Sequence, residues 1–398
     1  MKVLLTNFRL AERTGTECAL MEIAIGLKAR GHEVAVFTPE PGALAELLRN
    51  AHGIPVVAGL AQVPWTPDII HGQHQVPTTL ALLQFPSAPV LNYCHGYGPV
   101  EERPVRHPRV RRWLAPSTNF RDWFQQEFQI PPDRFVFAPN WVDTDRFPLR
   151  TLPQSNHKAL LYHTSIRRGA SVEALKEGCR AAGFEFAAVS YALGGGTDAP
   201  EKLLGGYDVV FTSGRSALEA MACGCAVIPV REGRLGDAIT PENAEAALHL
   251  NFSVVSTMQE LTPDAVRHVL QTLDATRLPA LAARVRTELS LNAGLDRMEA
   301  CYADILAEEL PPPDLMADQA ALHQALLTAA EALASSRQET ARIREGWEET
   351  KRKRESLSVE LSAVKQALAE VKRPTAASDP ALWRMLKQRW SRLTGEKG

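Results

Sequence analysis

The chain has 398 residues, 45% of them hydrophobic and 23% charged, with a formal net charge of −2 at pH 7. A chain of this length predicts two or three domains, and the near-neutral balance excludes a nucleic-acid binder that works through a basic footprint. No apolar run approaches the ~20 residues of a spanning helix, and the text opens on a strand without a charged-then-apolar leader, so a cytoplasmic protein is expected. Residues 3–6 read as that strand. The Gly15-Thr16-Glu17 loop precedes an apolar helix that runs to Arg30 and is capped by Gly31, and the next strand is 34–37. Further strands are expected at 56–57, 68–71, 90–93, 113–116 and 135–138. A segment rich in Pro, Asp and Arg at 140–153 marks a boundary. The alternation then restarts with a strand at 159–163, a helix near 172–182, a strand at 184–189 and a flexible loop at Gly194-Gly195-Gly196. Strands alternating with helices at this spacing predict an α/β protein with parallel, doubly wound sheets. The six cysteines lie in apolar segments without paired metal spacing, as expected for buried reduced thiols.

Residues 207–230 are the most informative stretch. An apolar strand at 209–211 meets a short Ser-Gly turn, a helix follows from Ser216 to about Ala222, and Gly224 ends it before a second apolar run. Such a turn aims a helix N-terminus outward, where free N–H groups and the helix dipole suit a diphosphate. Ser213, Gly214 and Ser216 form that candidate site. Glu219, one turn into the helix, is within reach of ribose hydroxyls. Arg215 opens the helix, and Arg167 and Arg168 follow a predicted strand end. Guanidinium groups there suit phosphate, because they donate in pairs and stay charged; the alternative for any one of them is a solvated surface residue. Gly15 and Thr16 allow close approach of a phosphate to the backbone, or simply form a strand-to-helix turn.

The run Glu219-Ala220-Met221-Ala222-Cys223-Gly224-Cys225-Ala226-Val227 resembles the donor-binding signature of GT-B glycosyltransferases, in particular the retaining, nucleotide-sugar-using group. Gly15-Thr16-Glu17, Gly31-His32-Glu33-Val34, Asp68-Ile69-Ile70-His71, the strand ending in His95-Gly96, and Asn140-Trp141-Val142-Asp143 resemble that family's further landmarks in the same order. The sequence departs from the pattern at Phe211, eight positions before Glu219, where the family has a carboxylate that touches the transferred sugar. It departs again after residue 163, where Arg167-Arg168-Gly169 stands in place of Gly-Arg and Lys-Gly.

The resemblance implies two Rossmann-like domains, 1–143 on the acceptor side and 144–310 on the donor side. It implies transfer from a UDP- or GDP-linked sugar to a glycan or lipid-linked acceptor, in bacterial surface polysaccharide assembly, with no metal and no other cofactor. His95 would touch the transferred sugar or assist the leaving group, with His74 as an outside candidate. In the retaining branch the acceptor attacks from the leaving-group side and a phosphate oxygen takes its proton. Two readings stand: an active transferase with His95 and Arg215 in the catalytic roles, or a catalytically degenerate scaffold or sugar-nucleotide-binding protein. A sugar-nucleotide epimerase is a minor third.

After Pro311-Pro312-Pro313 the character changes. From Leu322 a 4-3 repeat persists for roughly seven heptads and predicts a coiled-coil helix over 315–373, and hence a homo-oligomer; the alternative is a single helix folded back on the protein. The tail, 378–398, carries Trp383, Leu386, Trp390 and Leu393 on one helical face with Arg384, Lys387 and Arg392 off it. That is either a basic amphipathic helix making peripheral contact with the inner membrane face, or a tail docked on the protein itself.

Overall fold

The computed structural model describes residues 1–11, 13–97, 99–150, 157–162, 166, 169–190, 195, 197, 199–253, 258–371, 385 and 388–389. They fall into two compact units, 1–329 and 330–398.

The first half of the larger unit alternates β1 (Lys2–Thr6), β2 (Arg9–Leu10), α1 (Gly15–Ala29), β3 (Glu33–Phe37), β4 (Glu40–Pro41), α2 (Ala43–His52), β5 (Val56–Val57), β6 (Ile69–Gln73), α3 (Gln75–Gln84), β7 (Val90–Tyr93), β8 (Val110–Ala115), α4 (Asn119–Phe128) and β9 (Phe135–Phe137). Among the described residues seven of these strands form one sheet in the order β5-β3-β1-β6-β7-β8-β9, every neighbouring pair parallel. A parallel sheet is covered by helices on both faces, so its strands are apolar on both. Val3 and Leu5 enter one core while Leu4 between them enters the other. Successive side chains of a strand point to opposite faces.

The second half continues with β10 (Lys158–Tyr162), α5 (Ala170–Ala181), β11 (Glu185–Val189), α6 (Pro200–Leu204), β12 (Val209–Thr212), α7 (Arg215–Ala222), β13 (Ala226–Arg231), β14 (Arg234–Leu235), α8 (Ala244–His249), β15 (Gln259–Glu260), α9 (Pro263–Gln271), α10 (Leu278–Glu288) and α11 (Leu291–Ala307). Its sheet runs β11-β10-β12-β13-β14-β15, parallel up to β13 and antiparallel beyond. The same two-sided pattern holds: Val210 lies in one core, Val209 and Phe211 in the other. The two halves are Rossmann-like sheets whose strand order reverses beside β1 and beside β10, the points where such folds bind ligands.

Several expected boundaries move. β6 runs on to Gln73, pairing Gly72 with Asn92 and Gln73 with Tyr93. Glycine and buried glutamine carry no apolar signal, so the pattern ends early. A Cβ on Gly72 would come within 2.2 Å of Thr78, so only glycine fits between β6 and α3. The edge strands β14 and β15, two residues each, are too short and too polar to have a period. All six cysteines are free thiols, and five are buried.

α11 falls within the span read as the second domain, yet its buried face belongs to the first. Leu295, Met298, Cys301, Tyr302 and Ile305 sit in the core that contains Val3 and Leu5. The side chain of Leu295 packs so closely on Gly26 that a Cβ there would lie 2.4 Å from it. Polar contacts fix the same seam: Arg30 donates to Asp296 at 2.7 Å, and His32 meets Glu299 at 2.6 Å.

The long helix α12 (Leu315–Val371) follows. In its first turns Asp318 accepts from His107 at 3.1 Å and from Arg109 at 3.5 Å, and Ala321, Ala325 and Thr328 are buried. Small residues dock this part of the helix, and the leucine seam does not: Leu322 and Leu326 are exposed. In the second unit the helix continues to Val371 with Leu333, Ile343, Trp347 and Leu357 exposed. The tail lies outside the described residues apart from Met385, Gln388 and Arg389; Arg389 donates from Nε to Glu360 at 2.7 Å.

The α1–α11 contact yields a double-mutant test. Leu295→Ala should cost about 2–5 kcal/mol in denaturant unfolding. Gly26→Ala alone should cost about 1–3 kcal/mol by overpacking. In the Leu295→Ala background that second cost should largely vanish, because the added methyl fills the space vacated; strict additivity would place the contact elsewhere.

Candidate functional site

The carboxyl ends of the strands open on a cleft of about 410 Å³. Its lining includes Thr14, Gly15, Thr16, His74, His95 and Arg215, so both halves of the larger unit contribute. Thr14 caps α1 in a capping box with Glu17, whose Oε2 accepts the Thr14 N–H at 3.3 Å. This leaves the first turn of α1, Gly15 and Thr16, at the cleft wall. Across from it Gly214 caps α7 at φ 62, a conformation glycine adopts without strain, and Arg215 is the first helical residue.

A cluster of charged and polar groups occupies the histidine side of the cleft. His74 has φ 62, rare for a residue with a side chain and a mark of strain held by its surroundings. Its Nδ1 accepts the N–H of Phe8 at 3.1 Å, which leaves the proton on Nε2, facing Glu102 Oε1 at 3.3 Å. The other oxygen of Glu102 accepts the backbone N–H of His95 at 2.8 Å. Burial opposes ionisation of Glu102, but the hydrogen bonds from His74 and His95 hold its carboxyl below the usual range. His95 is partly exposed, stacks on Tyr93 at 4.1 Å, and has a fully occluded Nε2 without a hydrogen-bond partner. Burial lowers its pKa to about 4, so the ring is neutral at pH 7.

Arg215 anchors the other side. Its Nη2 donates to Glu22 on α1, its Nε to Glu219 at 3.4 Å, and its guanidinium stands 5.9 Å from the Trp141 ring. Trp141 Nε1 donates to the second oxygen of Glu22 at 2.8 Å. One cation is therefore shared by two buried carboxylates, one from each half. Burial works against the charge on Arg215, but Glu22 and Glu219 more than offset it and raise its pKa. Burial pushes Glu219 up to about 7 despite the adjacent arginine.

Of the residues expected from sequence, Gly15, Thr16, His95 and Arg215 meet in the cleft. Ser213, Gly214 and Ser216 form the turn and first helical positions beside Arg215. Glu219 stands behind Arg215 as its buried partner and is not part of the cleft lining. Arg167 and Arg168, and Gly194 and Gly196 of the glycine loop, lie outside the described residues. Phe211 is fully buried in the sheet core beside Val209. Counting back eight positions from Glu219 thus lands in the apolar layer of β12, because the turn is short. Glu22 and Glu102 join the site without a sequence signal, and Asn140, noted in the sequence only as part of a family landmark, joins it as well. Asn140 reaches across to Asn251 at 2.8 Å, and Asn251 backs Gly214. Among the described residues no group of three or more His, Cys, Asp or Glu side chains is gathered to hold a metal ion.

Several solved glycosyltransferases are similar to this chain in fold. A glycosyltransferase from Rickettsia africae superposes with a TM-score of 0.57 at 17% identity, over 77% of this chain and 99% of its own. The chain has the GT-B fold. WaaG, a glycosyltransferase involved in lipopolysaccharide biosynthesis, gives 0.50 at 14% identity, over 77% of this chain and 100% of its own. The catalytic domain of starch synthase IV from Arabidopsis thaliana, bound to ADP and acarbose, gives 0.51 at 13%, over 77% and 99%. Residues 13–146, the cleft-forming part of the first GT-B domain, match the model of Glycosyltransferase Family 4. No curated protein matches the chain significantly.

The shared cation of the GT-B cleft makes stability depend on pH in a defined sense. Glu219 binds its proton more tightly folded than unfolded, so its contribution is full below the ordinary 4.5 and is lost as pH rises through about 7. Glu219→Gln should flatten that decline in Tm between pH 5 and 8. Arg215→Ala should cost about 3–5 kcal/mol at pH 8, where two buried carboxylates lose their cation, and less at pH 5. Equal losses at both pH values would mean that the carboxylates are solvated.

Proposed function

We propose that the protein is a glycosyltransferase that takes a UDP- or GDP-linked sugar in this cleft. The observation that carries the proposal is the meeting of Arg215, first residue of α7, with Gly15 and Thr16, first turn of α1, in one cleft between two Rossmann-like sheets. Two helix N-termini present free N–H groups and the positive end of a dipole, and Arg215 adds a full charge. On binding, the diphosphate competes with Glu22 and Glu219 for the guanidinium, and Glu219 is freed toward the ribose. The leaving diphosphate is stabilised by these fixed donors without a metal. Neutral His95, with an unpartnered Nε2, hydrogen-bonds the transferred sugar or the departing oxygen. A phosphate oxygen takes the acceptor's proton, and the anomeric configuration is retained. The acceptor in this reading is a glycan or lipid-linked saccharide of bacterial surface polysaccharide assembly. The involvement of WaaG, similar in fold, in lipopolysaccharide biosynthesis supports that class. The protein acts in the cytoplasm, and the tail contacts the inner membrane face.

A second reading, a nucleotide-sugar-binding protein without catalysis, is favoured by two observations: Arg215 already satisfies two carboxylates, and Phe211 occupies the sheet core. Calorimetry with UDP and GDP, followed by donor turnover with pooled acceptors, separates the readings. Binding of one nucleotide with turnover supports the transferase, and binding without turnover supports the second reading. Absence of both refutes the shared donor site. Glu219→Ala should weaken nucleotide binding by about 1–3 kcal/mol. Arg215→Lys, which keeps the charge but not the paired donors, should lose diphosphate affinity while nucleoside affinity stays.

A further inference from the structure

Much of the apolar seam of the helix α12 is exposed. Leu322, Leu326, Leu333, Ile343, Trp347 and Leu357 are between 40% and 63% exposed. They fall on the a and d positions of one continuous heptad register, with Leu326, Leu333 and Trp347 at a and Leu322, Ile343 and Leu357 at d. Small residues on a different face, Ala321, Ala325 and Thr328, dock the start of the helix, so docking leaves the seam free there, and it stays exposed as far as Leu357; Val364, the next d position, is buried.

The flanking charges specify what covers that seam. Positions e carry Arg337, Arg344, Lys351 and Lys365, and positions g carry Glu339, Lys353 and Glu360. In a parallel, in-register pair each g residue faces the e residue five positions on in the other chain. That places Glu339 against Arg344 and Glu360 against Lys365, while Lys353 meets the uncharged Ser358. No like charges oppose each other across these flanks. In an antiparallel pair e faces e, and every charge in that row, Arg337, Arg344, Lys351 and Lys365, is basic. We infer that the occupant is a second copy of this chain, joined as a parallel two-stranded coiled coil built on the exposed seam from Leu322 to Leu357.

Within one chain Glu339 pairs with Arg342, and Glu360 with Arg389. These exposed pairs are weak and exchange readily on association. Arg354 at an a position faces its own copy in the parallel register. It weakens the seam locally, and its long side chain reaches water from a two-stranded coil more easily than from a larger bundle.

Sedimentation equilibrium of the full chain at micromolar concentration should give twice the 43.7 kDa of one chain. Leu333→Cys and Leu357→Cys, made separately, should each cross-link to dimer under mild oxidation, with the unaltered chain as control. The double swap Glu339→Arg with Glu360→Arg should weaken association by about tenfold or more. Mixing it with a chain carrying Arg344→Glu and Lys365→Glu should restore pairing between the two variants. A monomer, an assembly of three or more chains, or a dimer that fails to cross-link at either position would overturn the proposal. So would charge swaps without effect on association.

Discussion

A parallel sheet cannot face water on either side, and most of this chain follows from that constraint. Each β-α unit returns a helix over the sheet, and the two cores on either side of β1 take alternate residues of the same strand. Because every crossover runs the same way, the helices that follow the central strands begin at the carboxyl ends. Their N-terminal N–H groups therefore collect along one edge of each sheet. Setting two such edges against each other makes a cleft rich in positive partial charge, before any particular side chain is considered.

The side chains then decide how that field is held. Arg215 adds a full charge where the N–H groups already favour an anion, and a buried cation needs a partner. Glu22 and Glu219 supply two, one from each half, and Trp141 orients Glu22. The result is a cleft whose cation is stored on carboxylates. On the opposite wall burial keeps His95 neutral, while Glu102 keeps its charge through the donors that His74 and the His95 backbone aim at it. The contrast between these carboxyls, Glu219 near 7 and Glu102 below its usual range, comes from the number of hydrogen bonds each accepts in a similarly dry setting.

The return of α11 to the first core and the docking of α12 through small residues are two solutions to one problem. A chain that has completed its second sheet still owes a helix to the first, and Gly26 accepts Leu295 there because it lacks a side chain. The next helix has no such slot. It rests on Ala321, Ala325 and Thr328 and turns its leucines outward.

The sequence by itself determined the alternation of strands and helices, the turn at Ser213-Gly214, the helix that carries Arg215 and Glu219, and the long heptad helix, because each depends on local periodicity, capping or backbone freedom. It also placed Gly15, Thr16 and His95 at strand or helix ends, where side chains meet a cleft. Only the tertiary structure decided that Glu219 faces Arg215 and not the open cleft, that Phe211 belongs to the sheet core, and that Glu22 and Glu102 complete the site. Those roles depend on contacts between residues far apart in the chain, such as Glu22 with Arg215, and on a strained φ at His74. Such contacts leave no period along the sequence, because they are set by how two sheets come to face one cleft.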